Sequence, residues 1–359
     1  MYSLYINAAP KYKSCIVWDI NSLDTLSAIQ KQQLIGQAEE ILKTPFVSVR
    51  NKKKSYTGDP NAYESLATYF WPDKSNPNGR YIVKDEQRNP ETDLYCTPLI
   101  YTLSHKLKYI CEAYVLTGDD KYAQYAKKQI LFWFTDPHFY MKPDFEYGQF
   151  IPGGKYTKGN IGAISEAYYL IDALEAIALL KDNKYIDKTT NRKLKDWFHE
   201  FSIWMRTSII GSKMKSASDN CSIMFDVLLY RISYYINDKV TCRDITKNFT
   251  TQRLHKQITE DGRQIMELKR SNAITYSIYN LNHIIDFCFM LEKSGTHYYY
   301  ATNSKRIEAA LNYIYQFTDN KEKYSYMESG DWTSINKQIQ ALRLRAQRLN
   351  DSHFSSDVN

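Results

Sequence analysis

Residues Ala163–Leu180 read AISEAYYLIDALEAIALL, and this stretch decides the fold class. Apolar residues recur along it every three or four positions, as they do on one face of a helix. The stripe comprises Ala167, Leu170, Ile171, Leu174, Ile177 and Leu180. A stripe of this kind predicts a helix that packs against neighbouring helices. The same periodicity continues through most of the chain, so we expect an all-α protein.

The periodicity predicts about ten helices, at roughly 22–43, 99–117, 120–135, 161–182, 189–210, 221–237, 243–258, 275–293, 304–318 and 332–349. Gly118 separates the second helix from the third, as a glycine at a helix end does. No linker rich in Gly, Ser or Pro divides the chain, and no repeat of fixed period is evident. The pattern fits helical hairpins packed in a ring or a solenoid.

Two stretches interrupt the helical pattern. Residues 55–93 are rich in Tyr, Pro, Asn, Gly and Asp, and residues 136–160 hold three prolines and four glycines. Long ordered loops in a compact domain usually carry function. Both stretches place aromatic side chains beside polar groups, which suits a sugar-binding cleft.

The composition is that of a globular protein, with 43% hydrophobic and 24% charged residues among 359. The 31 tyrosines combine an apolar face with a hydroxyl, as sugar binding requires, although they also fit a biased genome. The net charge of +7 suits an anionic partner. No nucleic-acid-binding motif and no membrane-spanning stretch is recognisable, so neither nucleic acid nor membrane is expected as a partner.

The sequence offers no motif for a metal or an organic cofactor, and none is expected. The six cysteines show no CxxC spacing, and HExxH, P-loop and GxSxG patterns are absent. Several cysteines lie in apolar helical patterns, where a free thiol packs as a small hydrophobe. Met1 to Pro10 lacks the basic start and apolar run of a secretory signal, which leaves the compartment open.

Four motifs follow one another along the chain. They are GDPNAYESLATYFWPD at 58–73, YAQYAKKQILFWFTDPHFYMKPDFEYGQFIPG at 122–153, SDNCSIMFDV at 218–227 and DGRQIMELKRSNAITYSIYN at 261–280. In this order they resemble the alginate-lyase superfamily, in particular the branch of glucuronan and alginate lyases. The resemblance implies a single domain over residues 1–359, built as an incomplete (α/α) toroid. It also implies a secreted or periplasmic enzyme that cleaves a β-1,4-linked uronic-acid polysaccharide by β-elimination.

β-Elimination removes the C5 proton of a uronate and expels O4, and this explains which residues are needed. The proton is barely acidic beside an ionised carboxylate, so hydrogen-bond donors must neutralise the growing charge. A base and an acid complete the reaction. The resemblance implies that Tyr276 is the acid and can also serve as the base. It implies that Arg270 favours ionisation of Tyr276 or binds the carboxylate, and that Asn220 donates to the carboxylate. Without the resemblance, Arg270 would be a surface residue, Tyr276 a core residue and Asn220 a helix cap.

Position 221 departs from the family, which places a catalytic histidine there, whereas this chain has Cys221. A cysteine could replace it only as a thiolate, and the alternative is a small neutral space-filling residue. His283 lies seven residues after Tyr276, on the same helical face, and could point toward the site or be hydrogen-bonded locally.

The substrate-binding candidates come from the two irregular stretches. Gln149 and Tyr147 match a YxQ motif that borders the family's cleft, and the first stretch adds Tyr63, Tyr69, Trp71 and Arg88. Stacking on a sugar and clamping a carboxylate are their expected roles. The alternative is that the aromatic residues anchor the loop to the core.

Two other functions are compatible with the sequence. The chain could be a catalytically impaired polyuronate-binding homologue, in which Cys221 marks the loss of activity. It could also be a glycoside hydrolase on a similar helical scaffold, which would need two opposed carboxylates. Asp226 and Glu267 could supply these, but the sequence does not single them out.

Overall fold

The computed structural model describes residues 10–84, 87–153, 158–296, 303–328 and 330–356, with side chains up to residue 349. The all-α fold class is confirmed, because helices dominate the described residues and the strands are few and short. The helices are α1 (Ala28–Leu42), α2 (Thr97–Thr117), α3 (Asp120–Phe134), α4 (Gly162–Ala167), α5 (Leu170–Asp182), α6 (Lys188–Thr207), α7 (Ile209–Lys215), α8 (Asn220–Ile236), α9 (Lys239–Phe249), α10 (His255–Gln257), α11 (Ala273–Lys293), α12 (Ser304–Tyr315) and α13 (Trp332–Ser356).

Packing divides the chain into two compact units, one that ends at Ile210 and one that begins at Gly211. In the first unit, α2 packs against α1, α3 and α5. In the second, α11 packs against α8, α12 and α13. Each unit therefore has one central helix surrounded by others, and the single domain over residues 1–359 stays a prediction.

The first predicted helix starts too early. A short 3-10 helix occupies Ile20–Thr25, and α1 begins only at Ala28. Ser27 and Gln30 form a capping box, in which the Ser27 hydroxyl accepts from the Gln30 N–H at 3.3 Å and the Gln30 side chain accepts from the Ser27 N–H at 2.9 Å. This reciprocal pair satisfies N–H groups that a helix start leaves without partners.

The helix predicted over 189–210 is broken at Ser208, between α6 and α7. Two other predicted helices are interrupted in their interior. The segment 161–182 divides into α4 and α5 at Tyr168 and Tyr169, where the Tyr169 N–H bonds to Glu166 O at 3.2 Å, three residues back. This bond tightens the turn relative to an α-helix. The segment 243–258 contains a π-helical turn at Thr250–Leu254, which widens the helix instead. Periodicity alone registers neither change, because each is confined to a few residues.

The two irregular stretches contain no α-helix in their described residues, as predicted, but they hold four short strands. Strand β1 (Glu64–Leu66) pairs in parallel with β4 (Tyr147–Phe150), and β2 (Phe70–Trp71) pairs antiparallel with β3 (Ile82–Val83). The first pairing joins two segments that lie about eighty residues apart in sequence, a distance over which local patterns carry no information. The stretches therefore meet in the first unit.

Two glycines in open surroundings give a matched stability prediction. Gly36 lies inside α1, and Gly118 ends α2 with a φ of +67°; a Cβ atom at either position would contact nothing within 4 Å. We expect Gly36→Ala to stabilise the protein by about 0.5–1 kcal/mol, because alanine restricts the unfolded chain. Gly118→Ala should destabilise it by about 1–2 kcal/mol, because a left-handed backbone strains any L side chain. Urea denaturation measures both, and equal signs would contradict this account.

Among the described residues, no helix combines the length and apolar character that a membrane crossing requires. All six cysteines fall in the described ranges and are free thiols. Four of them are buried, as expected of small hydrophobes, and Cys221 and Cys242 are half-buried.

Candidate active site

The start of α8 forms one side of a polar cluster in the second unit. Asp219 caps this helix, and its carboxylate accepts from the Cys221 N–H at 3.1 Å. Asn220 is only 4% exposed and donates twice to the Glu267 carboxylate, from its backbone N at 2.7 Å and from its side-chain Nδ2 at 2.8 Å. Asp219 therefore fills the capping role, and the Asn220 amide is turned toward another side chain.

Glu267 opens the 3-10 helix Glu267–Lys269 and is buried. Burial raises the pKa of Glu267 to about 7, although the two Asn220 hydrogen bonds and the Arg270 charge act in the opposite direction. The bonds from Asn220 thus offset part of the cost of burying this carboxylate.

Arg270 and Tyr276 form the other side of the cluster. Arg270 directly follows the 3-10 helix in an extended conformation, and its guanidinium lies 3.8 Å from the centroid of the Tyr276 ring. Tyr276 lies in the first turn of α11, whose start is held by Glu328 through the N–H groups of Ile274 and Thr275, at 3.0 and 3.2 Å. A cation this close to a ring is a strong cation–π contact, which orders both side chains.

Cys221 is half-buried and close enough to Glu267 and Arg270 to sense their charges. Burial raises the pKa of the Cys221 thiol well above its usual value, the Asp219 and Glu267 carboxylates raise it further, and Arg270 opposes them only in part. Cys221 is therefore a neutral thiol at physiological pH. A reactive thiolate requires a lowered pKa, and the pKa of Cys221 is raised instead.

His283 lies in the core of the second unit. It is 4% exposed, and its Nδ1 is 2.8 Å from the carbonyl oxygen of Tyr279, one turn earlier in α11. Burial lowers the pKa of His283 to about 4, so the ring is neutral. This placement agrees with the locally hydrogen-bonded alternative, and a role of His283 in substrate binding stays a prediction.

The two carboxylates considered for a hydrolase both have strong partners. Asp226 forms a buried ion pair with Arg253, with Nε–Oδ2 and Nη2–Oδ1 distances of 2.8 and 3.2 Å. Glu267 accepts two hydrogen bonds from Asn220. The two carboxyl groups of a hydrolase must reach a glycosidic oxygen and a water molecule. The bonds of Asp226 to Arg253 and of Glu267 to Asn220 therefore disfavour a hydrolase mechanism with these two residues.

Gln149 belongs to a second polar cluster, in the first unit, centred on the buried carboxylate of Glu166. The Gln149 Nε2 donates to Glu166 at 2.8 Å and to the Thr68 hydroxyl at 3.1 Å. Its backbone is left-handed, with a φ of +56°, and is held by Ser65 at 2.7 Å and by Asn160 at 2.6 Å. Left-handed non-glycine residues are uncommon and concentrate at functional sites.

The other candidates in the first unit differ in exposure. Tyr63 is fully buried, donates to Glu166 at 2.9 Å and stacks on Phe145, so it anchors the loop as the alternative interpretation proposed. Tyr69 and Tyr147 are half-buried. Trp71 is also half-buried and donates its Nε1–H to Gln87 O at 2.7 Å.

Arg88 is exposed and forms an ion pair with Asp93. Its guanidinium is therefore bound to a neighbouring carboxylate on the surface, a pairing of low cost to break. A role in clamping a substrate carboxylate stays a prediction.

Two residues of these clusters were not assigned to them from the sequence. Glu166 collects four donors, from Tyr63, Ser65, Thr97 and Gln149, at 2.5–2.9 Å. The sequence places Glu166 on the apolar face of its helix. A carboxylate that is buried there needs hydrogen-bond donors, and this is the feature that could have identified the cluster. The sequence offers Glu267 only as a carboxylate for a hydrolase, although Glu267 lies three residues before Arg270.

Among the residues the structure describes, no group of three or more His, Cys, Asp or Glu side chains is arranged to hold a metal ion. The Glu166 cluster consists of amide, hydroxyl and carboxylate groups, and the Asn220 cluster also contains the Arg270 guanidinium and the Cys221 thiol. The second unit brings a tyrosine, an arginine and an asparagine into one cluster, which is the donor and acid set that β-elimination from a uronate requires.

Comparison with solved structures identifies similar folds. An alginate lyase from Bacteroides ovatus is 28% identical, with a TM-score of 0.87 over 94% of this chain and 92% of that one. Alginate lyase A1-III from Sphingomonas species A1 is 14% identical, with a TM-score of 0.55 over 88% of this chain and 81% of that one. A complex of alginate lyase A1-III with a tetrasaccharide is 15% identical, with a TM-score of 0.51 over 88% and 80% of the two chains. The last two likenesses concern the fold alone.

A comparison with curated proteins finds no match. The family model for alginate lyase, in contrast, matches residues 48–324, a span that contains both polar clusters. Because this match covers well over half of the sequence, the chain belongs to the alginate lyase family.

Proposed function

We propose that this polysaccharide lyase cleaves β-1,4-linked polyglucuronate or polymannuronate, with Tyr276 as both base and acid. The observation that carries the proposal is the Arg270 guanidinium, 3.8 Å from the centroid of the Tyr276 ring. A cation in this position stabilises a phenolate, which is the form of Tyr276 that can accept a proton. The net charge of +7 favours approach of the anionic polymer. Such a polymer is too large and too charged to enter a cell unaided, so we expect the enzyme to be secreted or periplasmic.

In the proposed reaction, one side chain both accepts the proton and returns it. The Tyr276 phenolate takes the C5 proton, and the electrons of the C–H bond form the C4–C5 double bond. The C4–O4 bond breaks, and O4 takes the proton back from Tyr276. Negative charge builds on the substrate carboxylate during this step, and donors from Asn220 and Arg270 stabilise it. Gln149, which belongs to the Glu166 cluster, stays a predicted donor to a uronate carboxylate.

The neutral state of Cys221 affects which polymer the enzyme is expected to cleave. In glucuronate and mannuronate the C5 proton and O4 lie on the same side of the ring, so a single group can serve both. In guluronate the C5 configuration is inverted, and a second group must act from the opposite face. The family's histidine suits that role, whereas a thiol whose pKa is raised by burial does not.

We therefore expect rates on polyglucuronate and polymannuronate at least about tenfold above the rate on polyguluronate, because a missing acid–base partner costs at least that much. The measurement is the ultraviolet absorbance of unsaturated uronate formed from each polymer by the purified protein. A preference for polyguluronate would contradict the single-tyrosine mechanism.

The Cys221→His variant serves as the matched control. It should retain the fold and raise activity or add cleavage of polyguluronate. New reducing ends without absorbance would indicate a hydrolase instead. No product from any polymer, with binding retained and activity restored in Cys221→His, would identify an impaired polyuronate-binding homologue.

A further inference from the structure

The orientation of the Asn220 amide is determined by Glu267. Each oxygen of the Glu267 carboxylate accepts one hydrogen bond from Asn220, so the nitrogen end of the amide faces the carboxylate. The observed Nδ2–Oε2 distance of 2.8 Å agrees, and the backbone N–H of Asn220 binds the other carboxylate oxygen at 2.7 Å. Two bonds from one residue to the two oxygens of one carboxylate leave little freedom for either partner.

This arrangement also decides what Asn220 can offer to a ligand. The amide nitrogen carries two hydrogens, and Glu267 accepts one of them. A rotation of the amide by half a turn would exchange its nitrogen and oxygen, and the oxygen would repel an approaching carboxylate. Because Glu267 is buried, its hydrogen bonds to Asn220 are shielded from water and correspondingly strong. The charge of Arg270 also acts on the Glu267 carboxylate.

We propose that Glu267 is a positioning residue that orients the Asn220 carboxamide, so that the second Nδ2 hydrogen is presented to the carboxylate of the uronate substrate. The inference rests on the proposed function, since it assigns Asn220 to that carboxylate. Glu267 acts only through Asn220 and touches neither the C5 proton nor O4.

Glu267→Gln tests this with a minimal change of shape. Glutamine offers one acceptor and one donor group, so it cannot accept both Asn220 bonds. We expect kcat on polyglucuronate to fall by about ten- to a hundredfold, as a misplaced polar group does. Glu175→Gln is the control, because Glu175 is equally buried and accepts two backbone N–H groups, from Val17 and Trp18 at 2.9 Å, in the first unit. We expect its kcat to stay within about twofold of wild type.

A double-mutant cycle separates positioning from general destabilisation. If Glu267 acts through Asn220, adding Glu267→Gln to Asn220→Ala should lower kcat by less than about twofold further. Multiplying losses would overturn the proposal, because they would show that Glu267 acts independently of Asn220.

A nuclear magnetic resonance measurement tests the orientation of the Asn220 carboxamide without relying on lyase activity. In protein labelled with ¹⁵N at asparagine, the side-chain signal of Asn220 is assigned by its loss in Asn220→Asp. We expect it to exchange slowly with solvent in the wild type and to shift and exchange faster in Glu267→Gln. An unchanged signal would overturn the positioning role, whereas absence of unsaturated product from the wild type would overturn the proposed function alone.

Discussion

Replacing Tyr276 by phenylalanine is expected to lower turnover on polyglucuronate by at least about a hundredfold while the fold stays intact. Phenylalanine keeps the ring under the Arg270 guanidinium, so the contact at 3.8 Å and the packing of α11 are preserved. Only the ionisable hydroxyl is removed, and with it the group proposed to take the C5 proton and return it to O4. Initial rates from the absorbance of unsaturated product measure the loss, and circular dichroism checks the fold.

The neighbouring Tyr279 provides the control for this prediction. It lies on the same helix, three residues later, and is 39% exposed, so Tyr279→Phe removes a hydroxyl from a neighbouring tyrosine to which no catalytic role is assigned. We expect its turnover to stay close to that of the wild type. Near-normal turnover in Tyr276→Phe would rule out the proposed acid–base role, whatever the control does.

Replacing Arg270 by alanine is expected to lower turnover on an acidic polymer by about a hundred- to a thousandfold, the cost of removing a donor from developing negative charge. Asn220→Ala and Gln149→Ala should also lower it, by smaller factors, because each supplies a neutral donor. Arg270→Lys should recover part of the loss, since it restores the charge without the planar stack on Tyr276. Arg263→Ala is the control, because Arg263 is exposed and paired with Asp261 at 2.8 Å.

A polymer with esterified carboxyl groups distinguishes charge neutralisation from a structural role. Esterification removes the negative charge that these donors stabilise, so the three alanine variants should lose less on the ester than on the acid. The comparison requires only rates of both substrates with each variant. Equal losses on the two substrates would identify Asn220, Arg270 and Gln149 as structural residues.

The stereochemical preference and the Tyr276 mechanism are linked through Cys221. A neutral thiol beside Asn220 leaves the tyrosine as the titratable side chain proposed for proton transfer. If Cys221→His adds cleavage of polyguluronate and Tyr276→Phe abolishes all cleavage, two groups acting from opposite faces of the sugar are the consistent explanation. Rates of the double variant would then show which step each group serves.

Helices were predictable from the sequence because their hydrogen bonds and apolar stripes are local. The segments 99–117 and 275–293 were expected as helices and are α2 and α11, within two residues at each end. Gly118 ends α2 in the left-handed conformation that a glycine there predicts. The interruptions at Tyr168–Tyr169 and Thr250–Leu254 are local changes of hydrogen-bond spacing in the helical ladder, which apolar spacing does not register.

The candidate catalytic residues were available from the motifs, but their environments were not. The resemblance of the motifs to the alginate-lyase superfamily pointed to Asn220, Arg270 and Tyr276, and their side chains suit the chemistry of β-elimination. The same reasoning left open whether Cys221 is a thiolate. That question depends on burial and on the charges of Asp219 and Glu267, which raise the pKa of the thiol. A pKa depends on the solvent and charges around a group, and these are known only when the chain is folded.

The sequence by itself determined the helical class and the two irregular stretches, which follow from periodicity and composition. It also predicted the residue types of the candidate site, through the resemblance of its motifs. Only the tertiary structure decided which of these residues meet. Glu267 binds Asn220 across 47 residues, and Glu166 collects Tyr63 and Gln149 from both irregular stretches. The same packing buries Tyr63 and His283, which the sequence offered as contacts for a substrate. The physical reason is that a buried carboxylate needs hydrogen-bond donors, and tertiary packing decides which residues supply them. Local sequence patterns contain no information about those partners.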